Sequence, residues 1–412
     1  MKIIMKKIMI LAGGNDQAAL IQEIRKKFDD VQVILIDFAK NVVASKYADK
    51  HIVESTMDLP KVKEIAQEEK VDYIMTACGD QPLLTMATIS SELGLPCYIG
   101  KEQVLTLTNK MYMKDLMMKN DIPTSLYKTF KSSDLITTEG LSYPLVVKPV
   151  DSNGSKGVRK VTSEDELKDF AKQAFKFSLS DTIIVEEFNE GVEISSDYYI
   201  VGDTVTNLMH SQLNKWSPDS NTAVIYQSVI PPAISHAAKK KLDEIAKKIA
   251  KGYGITNSPL LMQTIVNGDD VRVLEFSARI GGGAKYQTIE KVTGFNVLKA
   301  NLESMLGERP NVSFVPSKKY YSRCHLYLIG GSFETLEGVK SLKEEGIIEE
   351  CIITKPFGVV VNPPKSSSDR VASILLVADS RDELENKIKY AINTIKVLND
   401  NGEDVLCREM YL

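Results

Sequence analysis

The stretch VLEFSARIGGGAKY, from Val273 to Tyr286, sets three polar side chains on one face of an otherwise apolar strand. Glu275, Ser277 and Arg279 stand two residues apart, the spacing at which strand side chains share a side. The strand then runs into Gly281, Gly282 and Gly283, a backbone without Cβ atoms whose N–H groups can approach an anion closely. Carboxylate, hydroxyl, guanidinium and bare backbone together suit a site for metal and phosphate.

Working outward, LLMQTIV carries Gln263, and the turn Asn267-Gly268-Asp269-Asp270 separates it from VRVLEFS. This reads as an antiparallel hairpin and predicts Gln263 and Glu275 side by side on hydrophobic strands. Oxygen donors on dry strands suit Mg²⁺, which keeps some waters and takes other ligands from phosphates. Arg279 then stands where a fork of donors can grip a phosphoryl group; a plain ion pair with some carboxylate is the competing reading.

Further upstream, Lys148 projects from PLVVKPV, a strand that otherwise reads as core, and lysine is seldom buried alone. A loop, DSNGSKGV (Asp151 to Val158), begins three residues later, which favours an anionic ligand over a lysine that merely snorkels. Ser152, Asn153, Gly154, Ser155 and Gly157 offer N–H groups and hydroxyls to polyphosphate, although by itself the loop is only a flexible hairpin tip. The strand IIVEEF ends in Glu186 and Glu187, and Glu193 follows the bend FNEGV. Backbone groups at such a strand end can meet a purine edge and a carboxylate can meet ribose; an exposed acidic turn is the plain alternative. The set describes a nucleotide clasped between two sheets.

The bulk composition fits an ordinary soluble protein of two or three domains: 412 residues, 43% hydrophobic, 26% charged. Net charge is −4, and lysines on AKKKLDEIAKKIAKGYG alternate with the stripe Leu242, Ile245, Ile249 and Tyr253, a solvated helix face rather than a nucleic-acid patch. Five dispersed cysteines without a CxxC pair read as a reducing, cytoplasmic compartment. The lysines and short apolar run of MKIIMKKIMILAGG read as a first strand, not a secretion signal, and no apolar segment approaches the roughly 20 residues that cross a bilayer. GxSxG, HExxH and GxxxxGK[ST] are missing and the four histidines are scattered, which argues against a hydrolase triad or a zinc site.

Strand and helix alternate over residues 1–107, ending at CYIG, and predict a parallel sheet with helices on both faces. Gly13, Gly14 and Asp37 invite comparison with a dinucleotide fingerprint, but the GxGxxG spacing is absent. Residues 108–310 form a second unit that contains a strand-rich lid over about 125–190, with a helix opened by the capping box of Ser163 and Glu166. Residues 311–412 read as an α+β region with a capped helix from Ser380 to Leu398. The segment from His210 to Pro232 is expected to cross the mouth of the cleft and carry selectivity, and Gly281, Gly282 and Gly283 to hold a substrate carboxylate.

Taken in order, Lys110, Lys148, the Gly/Ser loop, Glu186-Glu187, Glu193, Gln263, Glu275, Arg279 and the glycines resemble the ATP-grasp superfamily across nearly the whole chain. The resemblance implies an α/β and α+β architecture: a Rossmann-like domain, a small lid, an ATP-binding half and a C-terminal α+β portion. It implies that Lys110 and Lys148 meet the nucleotide phosphates, Lys148 also lying near adenine. Ser155, Gly157 and neighbouring amides would cover the β- and γ-phosphates. Glu186 would accept from the adenine amino group, the backbone of Glu187, Phe188 and Asn189 would pair with the ring edge, and Glu193 would hold the ribose. Gln263 and Glu275 match metal positions, Ser277 stands at a third, and Arg279 lies near the transferred phosphoryl group, which makes Arg279 and Glu275 the catalytic pair. The superfamily usually carries glutamate at the position of Gln263, although the carbamoyl phosphate synthetase type accepts glutamine, and asparagine at that of Ser277.

The implied activity is a cytoplasmic carbon–nitrogen ligase that uses ATP with Mg²⁺, or Mn²⁺ in its place. It would activate a small carboxylate, an amino acid or related acid, as an acyl phosphate for attack by an amine, and release ADP and phosphate. A carbamoyl phosphate synthetase-like or phosphoribosylamine–glycine ligase-like reaction is the runner-up, and a non-catalytic ATP-binding protein is the alternative of another class. The expected partners are small molecules, with neither nucleic acid nor membrane, and a homodimer fits the resemblance.

Overall fold

The computed structural model describes residues 5–132, 135–151, 157–218 and 223–411. Near the N-terminus, Lys50–Val53, Val31–Asp37, Lys6–Leu11 and Tyr73–Met75 lie in that order in a parallel sheet. The central strands are fully apolar where they are buried, Ile8 to Leu11 and Val33 to Ile36, as expected of strands covered on both faces. Strand order reverses between Lys6–Leu11 and Tyr73–Met75, and in open parallel sheets the crevice beyond such a reversal is where ligands bind. Asp16 and Asp80 follow these two strands.

Gly13 serves packing, because a Cβ there would strike Val42, and its N–H donates to Asp37 Oδ2 at 2.8 Å. Asp37 also accepts from Ala39 N at 2.8 Å, so its carboxylate is spent closing a turn and the partial dinucleotide pattern has a structural cause. CYIG, expected as a strand, is irregular: Ile99 is buried and the Tyr98 hydroxyl donates to Ala278 O at 2.9 Å, so the segment packs across the chain instead of extending the sheet.

Beyond the helices Lys101–Thr108 and Lys110–Lys119, a small antiparallel sheet takes the order Tyr127–Lys131, Thr182–Glu187, Leu145–Pro149, Arg159–Val161. Helix Glu164–Phe177 covers it with Leu167, Phe170, Ala171 and Ala174. Ser163 caps this helix by accepting from Glu166 N at 3.3 Å, while Glu166 reaches back to Thr162 N at 2.7 Å, one residue earlier than a capping box requires.

The large sheet has eight antiparallel strands, ordered Asp270–Ser277, Asn257–Asn267, Val192–Val201, Thr204–Trp216, Val224–Ile230, Tyr320–Leu326, Ala372–Ala378, Glu350–Ile353. The region after residue 310 thus adds three strands to this sheet and keeps its own core around Leu326, Phe333, Ile374 and Ile388. The segment from His210 to Pro232 is mostly two paired strands in the middle of the sheet. The last long helix stops at Thr394 rather than Leu398, because Lys396–Leu398 pairs with Thr335–Glu337. The lysine-rich helix His236–Gly252 buries Leu242, Ile245 and Ile249. No helix among the described residues is long and apolar enough to cross a membrane, and all five cysteines are free thiols.

Candidate functional site

The hairpin of the opening motif forms in the expected register: Gln263 faces Glu275 and Asn267 faces Asp270 across the turn. A bulge between Gln263 and Thr264 locally re-aims the strand at this pair. Gln263, Glu275, Ser277, Arg279, Lys110 and Asp80 line one cleft of about 330 Å³. Lys110 opens the helix Lys110–Lys119, and its Nζ lies 3.8 Å from Glu275 Oε2.

Arg279 is not aimed freely into this cleft. Its Nε donates to Asp80 Oδ1 and its Nη2 to Asp80 Oδ2, both at 2.7 Å, and its Nη1 donates to Ile280 O at 3.1 Å. Burial alone would raise the Asp80 carboxyl, but the Arg279 guanidinium outweighs it and holds the group below the usual carboxylate range. Burial pulls the Arg279 guanidinium down and the Asp80 carboxylate more than restores it, so the pair is charged. Ser277 Oγ is buried beside this pair and helps to hold the Asp80 carboxyl down, although its contact with that carboxylate is too loose to count as a full hydrogen bond.

A second cluster of charge lies where the helix Lys110–Lys119 meets the small sheet. Lys148 Nζ contacts Glu186 Oε1, and Lys114 Nζ lies 2.6 Å from Glu186 Oε2 and donates to Thr124 Oγ1 at 2.7 Å. Lys114 is 1% exposed and Glu186 2%. Burial would raise the Glu186 carboxyl; the ammonium groups of Lys114 and Lys148 override it and bring it to about 2. Burial lowers the Lys114 ammonium, partly offset by Glu186. Both Glu186 oxygens are therefore held by lysines rather than presented to an amino group. Downstream, Glu187 N donates to Leu126 O at 2.9 Å and Phe188 N to Pro144 O at 3.0 Å, so both of these amides are spent within the fold. Asn189 itself is pinned by its side chain, Nδ2 donating to Ser125 Oγ at 2.6 Å.

Glu193 starts the next strand and is gripped from two sides, by Lys215 Nζ at 2.6 Å and by Gln263 Nε2 at 3.3 Å. Glutamine rather than glutamate at position 263 thus has a local reason: an amide donates to Glu193, where a second carboxylate would repel it. The amide oxygen remains for a cation. No group of three or more His, Cys, Asp or Glu side chains among the described residues could hold a metal by itself. Two adjacent oxygen donors, with a buried hydroxyl near them, suit a magnesium ion that brings phosphate and water ligands with it.

The glycines carry a third set of charges. A Cβ on Gly281 would come within 2.6 Å of Lys285 Cδ, and Lys285 Nζ reaches Asp197 Oδ2 at 2.7 Å and Ser195 Oγ. Gly283 has φ +75° and lies against the Arg370 guanidinium. His325 is buried beside Gly283 and shares a hydrogen bond of 2.7 Å with Ser373 Oγ. Burial, then Arg370 and Arg323, push this imidazole far below its ordinary range, so it is neutral. Gly157 has φ +70° and fits tightly against Phe177 and Pro149, while Ser155 lies outside the described residues.

A family model described as phosphoribosylglycinamide synthetase, ATP-grasp (A) domain, matches residues 108–283, the span from the helix before Lys110 to the last glycine. The chain belongs to the ATP-grasp superfamily. It is similar to the phosphoribosylamine–glycine ligase of Methanocaldococcus jannaschii, 26% identical over 304 residues that cover 67% of each chain. Among solved structures it is similar to an L-amino acid ligase from Bacillus licheniformis, with a TM-score of 0.79, 19% identity, and coverage of 96% of this chain and 99% of that one. A phosphoribosylglycinamide synthetase from Anaerococcus prevotii gives a TM-score of 0.75 at 19% identity, over 96% and 100% of the two chains. At that identity the structural likeness speaks for the ATP-grasp fold; with the matched family model and the sequence relatives, the chain is by class an ATP-grasp ligase.

Within this ATP-grasp chain the structure gathers Lys110, Gln263, Glu275, Ser277 and Arg279 in one cleft and joins Lys148 to Glu186. Sequence reading missed Asp80, Lys114 and Lys215, each a charge partner of an expected site residue. Lys114 had a readable signal, since it lies four residues after Lys110 and so shares its helix face. Asp80 had a weaker one, an acid directly after a glycine at the end of a parallel strand.

Proposed function

We propose that this ligase activates a small carboxylate, an amino acid or related acid, as an acyl phosphate, and that an amine then displaces phosphate. The observation that carries the proposal is that Lys110, Gln263, Glu275, Ser277 and Arg279 line one cleft, Arg279 standing two residues before the glycine triplet. Acyl-phosphate chemistry asks for charge neutralisation and alignment rather than a protein acid or base, and this cleft holds cations, oxygen donors and no titrating histidine. Mg²⁺, when bound by Glu275 and Gln263 with Ser277 near, would neutralise phosphate charge. Lys110 and Lys148 would hold the phosphates, Glu193 the ribose, and the Asn189 N–H with the Glu187 carbonyl the purine edge. Arg279 would meet the phosphoryl group in transfer, and the N–H groups of Gly281, Gly282 and Gly283 the acid.

Support for an amino acid comes from Asp16 and Arg370. The guanidinium abuts Gly283, and the Asp16 carboxyl, raised by burial, lies near Ala284 in the field of Arg370 without a contact ion pair between the two. A zwitterion bound between them would meet a group of opposite sign at each end. The relatives' names favour a second reading, a phosphoribosylamine–glycine ligase-like reaction, in which glycine would be the acid. A screen of ADP release over paired amino acids, other carboxylates, and glycine with phosphoribosylamine separates the two, with hydroxylamine added to trap an activated acyl group. ADP release that depends on an acid and yields a hydroxamate is the expected result; ATP binding with no acid-dependent release under any pairing refutes the proposal.

A further inference from the structure

We infer that Asp80 is the positioning residue of the transfer site: it aims Arg279 through a two-point ion pair and ties the N-terminal sheet to the glycine triplet. The inference rests on the proposed role of Arg279. Asp80 opens the helix Asp80–Leu93, and Gly79 before it has φ +96°, a backbone that turns the chain from the parallel strand toward the cleft. At the helix N-terminus the carboxylate also meets the positive end of the macrodipole. The neighbours of Arg279 are held from the same side: Tyr98 bonds to Ala278 O at 2.9 Å, and Cys78 forms a parallel bridge with Ile280. Residues 278, 279 and 280 are therefore each fixed by the N-terminal unit, 199 residues away in sequence at the ion pair.

The arithmetic of donors shows why this pair serves Arg279 instead of disabling it. A guanidinium carries five N–H groups. Two go to Asp80 and one to Ile280 O, and among the described residues one remains on each of Nη1 and Nη2. Those two donors are what a phosphoryl oxygen pair needs, and with the other three fixed the plane of the guanidinium cannot rotate away. Asp80 itself need not touch a substrate; it acts through Arg279.

The test is Asp80→Asn, which keeps the shape but turns one acceptor into a donor facing the guanidinium. With the wild-type acid substrate, kcat for ADP release should fall about 100-fold, the order reached when a reacting group is misplaced by an ångström, while KM for Mg·ATP stays within about threefold. Asp80→Glu should recover part of the rate. Asp80→Asn added to Arg279→Ala should cost nothing further, because the two act as one unit. Near wild-type kcat in Asp80→Asn, additive losses in the double variant, or loss of Mg·ATP binding or of the folding transition in Asp80→Asn would each overturn the inference. Absence of acid-dependent ADP release in the wild type would instead remove the proposed function. In that event the Arg279 Nε proton decides: its protection from solvent exchange must be lost in Asp80→Asn, and unchanged protection rejects the inference.

Discussion

Replacing Glu186 by Gln removes a carboxylate that neutralises two buried ammonium groups. Lys114 is 1% exposed and Lys148 7%, and their Nζ atoms occupy both Glu186 oxygens. Taking away one partner of a buried pair typically costs about 3–5 kcal/mol, because the remaining charge is desolvated without compensation. The variant should therefore be destabilised by about that amount at neutral pH, measured by denaturant unfolding. A lysine can escape the cost by shedding its proton, and this gives the loss a pH signature. If the folded pKa of Lys114 drops further below its ordinary 10.5, the unfolded chain binds more protons than the folded one up to that value, so stability rises with pH in that window. The deficit of Glu186→Gln relative to wild type should shrink between pH 7 and 10. Lys114→Met, which leaves the Lys148–Glu186 pair in place, should cost less than half as much. A loss in Glu186→Gln under about 1 kcal/mol, or a deficit independent of pH over that range, would refute the idea that Glu186 is the shared counter-ion, since breaking such a pair carries the penalty named above.

Glu275→Ala should abolish acid-dependent ADP release while leaving the unfolding midpoint close to wild type, since Glu275 is half-exposed and its 3.8 Å contact with Lys110 is worth at most about 1 kcal/mol; kinetics and a melting curve on the same sample check both parts. His210 shares a hydrogen bond of 2.8 Å with Ser196 Oγ and its Nε2 lies 3.6 Å from Asp243 Oδ1, yet burial, then Lys239 and Lys285, outweigh that carboxylate and push the imidazole down to about 4. The unfolded chain takes up this proton first as pH falls from the ordinary value of about 6.5, so up to about 3 kcal/mol of stability should be lost between there and pH 4, and His210→Gln should flatten that part of the unfolding profile. Gly283→Ala should retain Mg·ATP binding but lose turnover, because a methyl group at φ +75° meets the Arg370 guanidinium where the acid is expected; unchanged turnover would move the acid site elsewhere.

Local features were legible in the sequence, and long-range pairings were not. The hairpin holding Gln263 against Glu275 is specified by two alternating strands and an Asn-Gly turn whose glycine has φ +59°, all within a few residues. The N-terminal alternation likewise announces its parallel sheet. CYIG has strand-like residues, yet Tyr98 finds its partner in Ala278, which no local pattern can encode. Helix Lys101–Thr108 escaped notice because its glycine N-cap and threonines give little helical signal. The helix from Ser380 was read four residues too long, since the pairing of Lys396–Leu398 with Thr335–Glu337 outcompetes its last turn. In the site, residue types named the acids and cations, but not their partners. Asp80 with Arg279, Lys114 with Glu186 and Lys215 with Glu193 join distant segments, and each changes what the expected residue can offer a ligand.

The central claim is that a phosphoryl group passes from ATP to an acid held at the glycine triplet. It is tested most directly by supplying the acid found in the ADP-release screen with ¹⁸O in its carboxylate and analysing the phosphate released. One ¹⁸O atom per phosphate, formed together with ADP, is the predicted result. Unlabelled phosphate, or AMP and pyrophosphate in place of ADP and phosphate, would contradict the account.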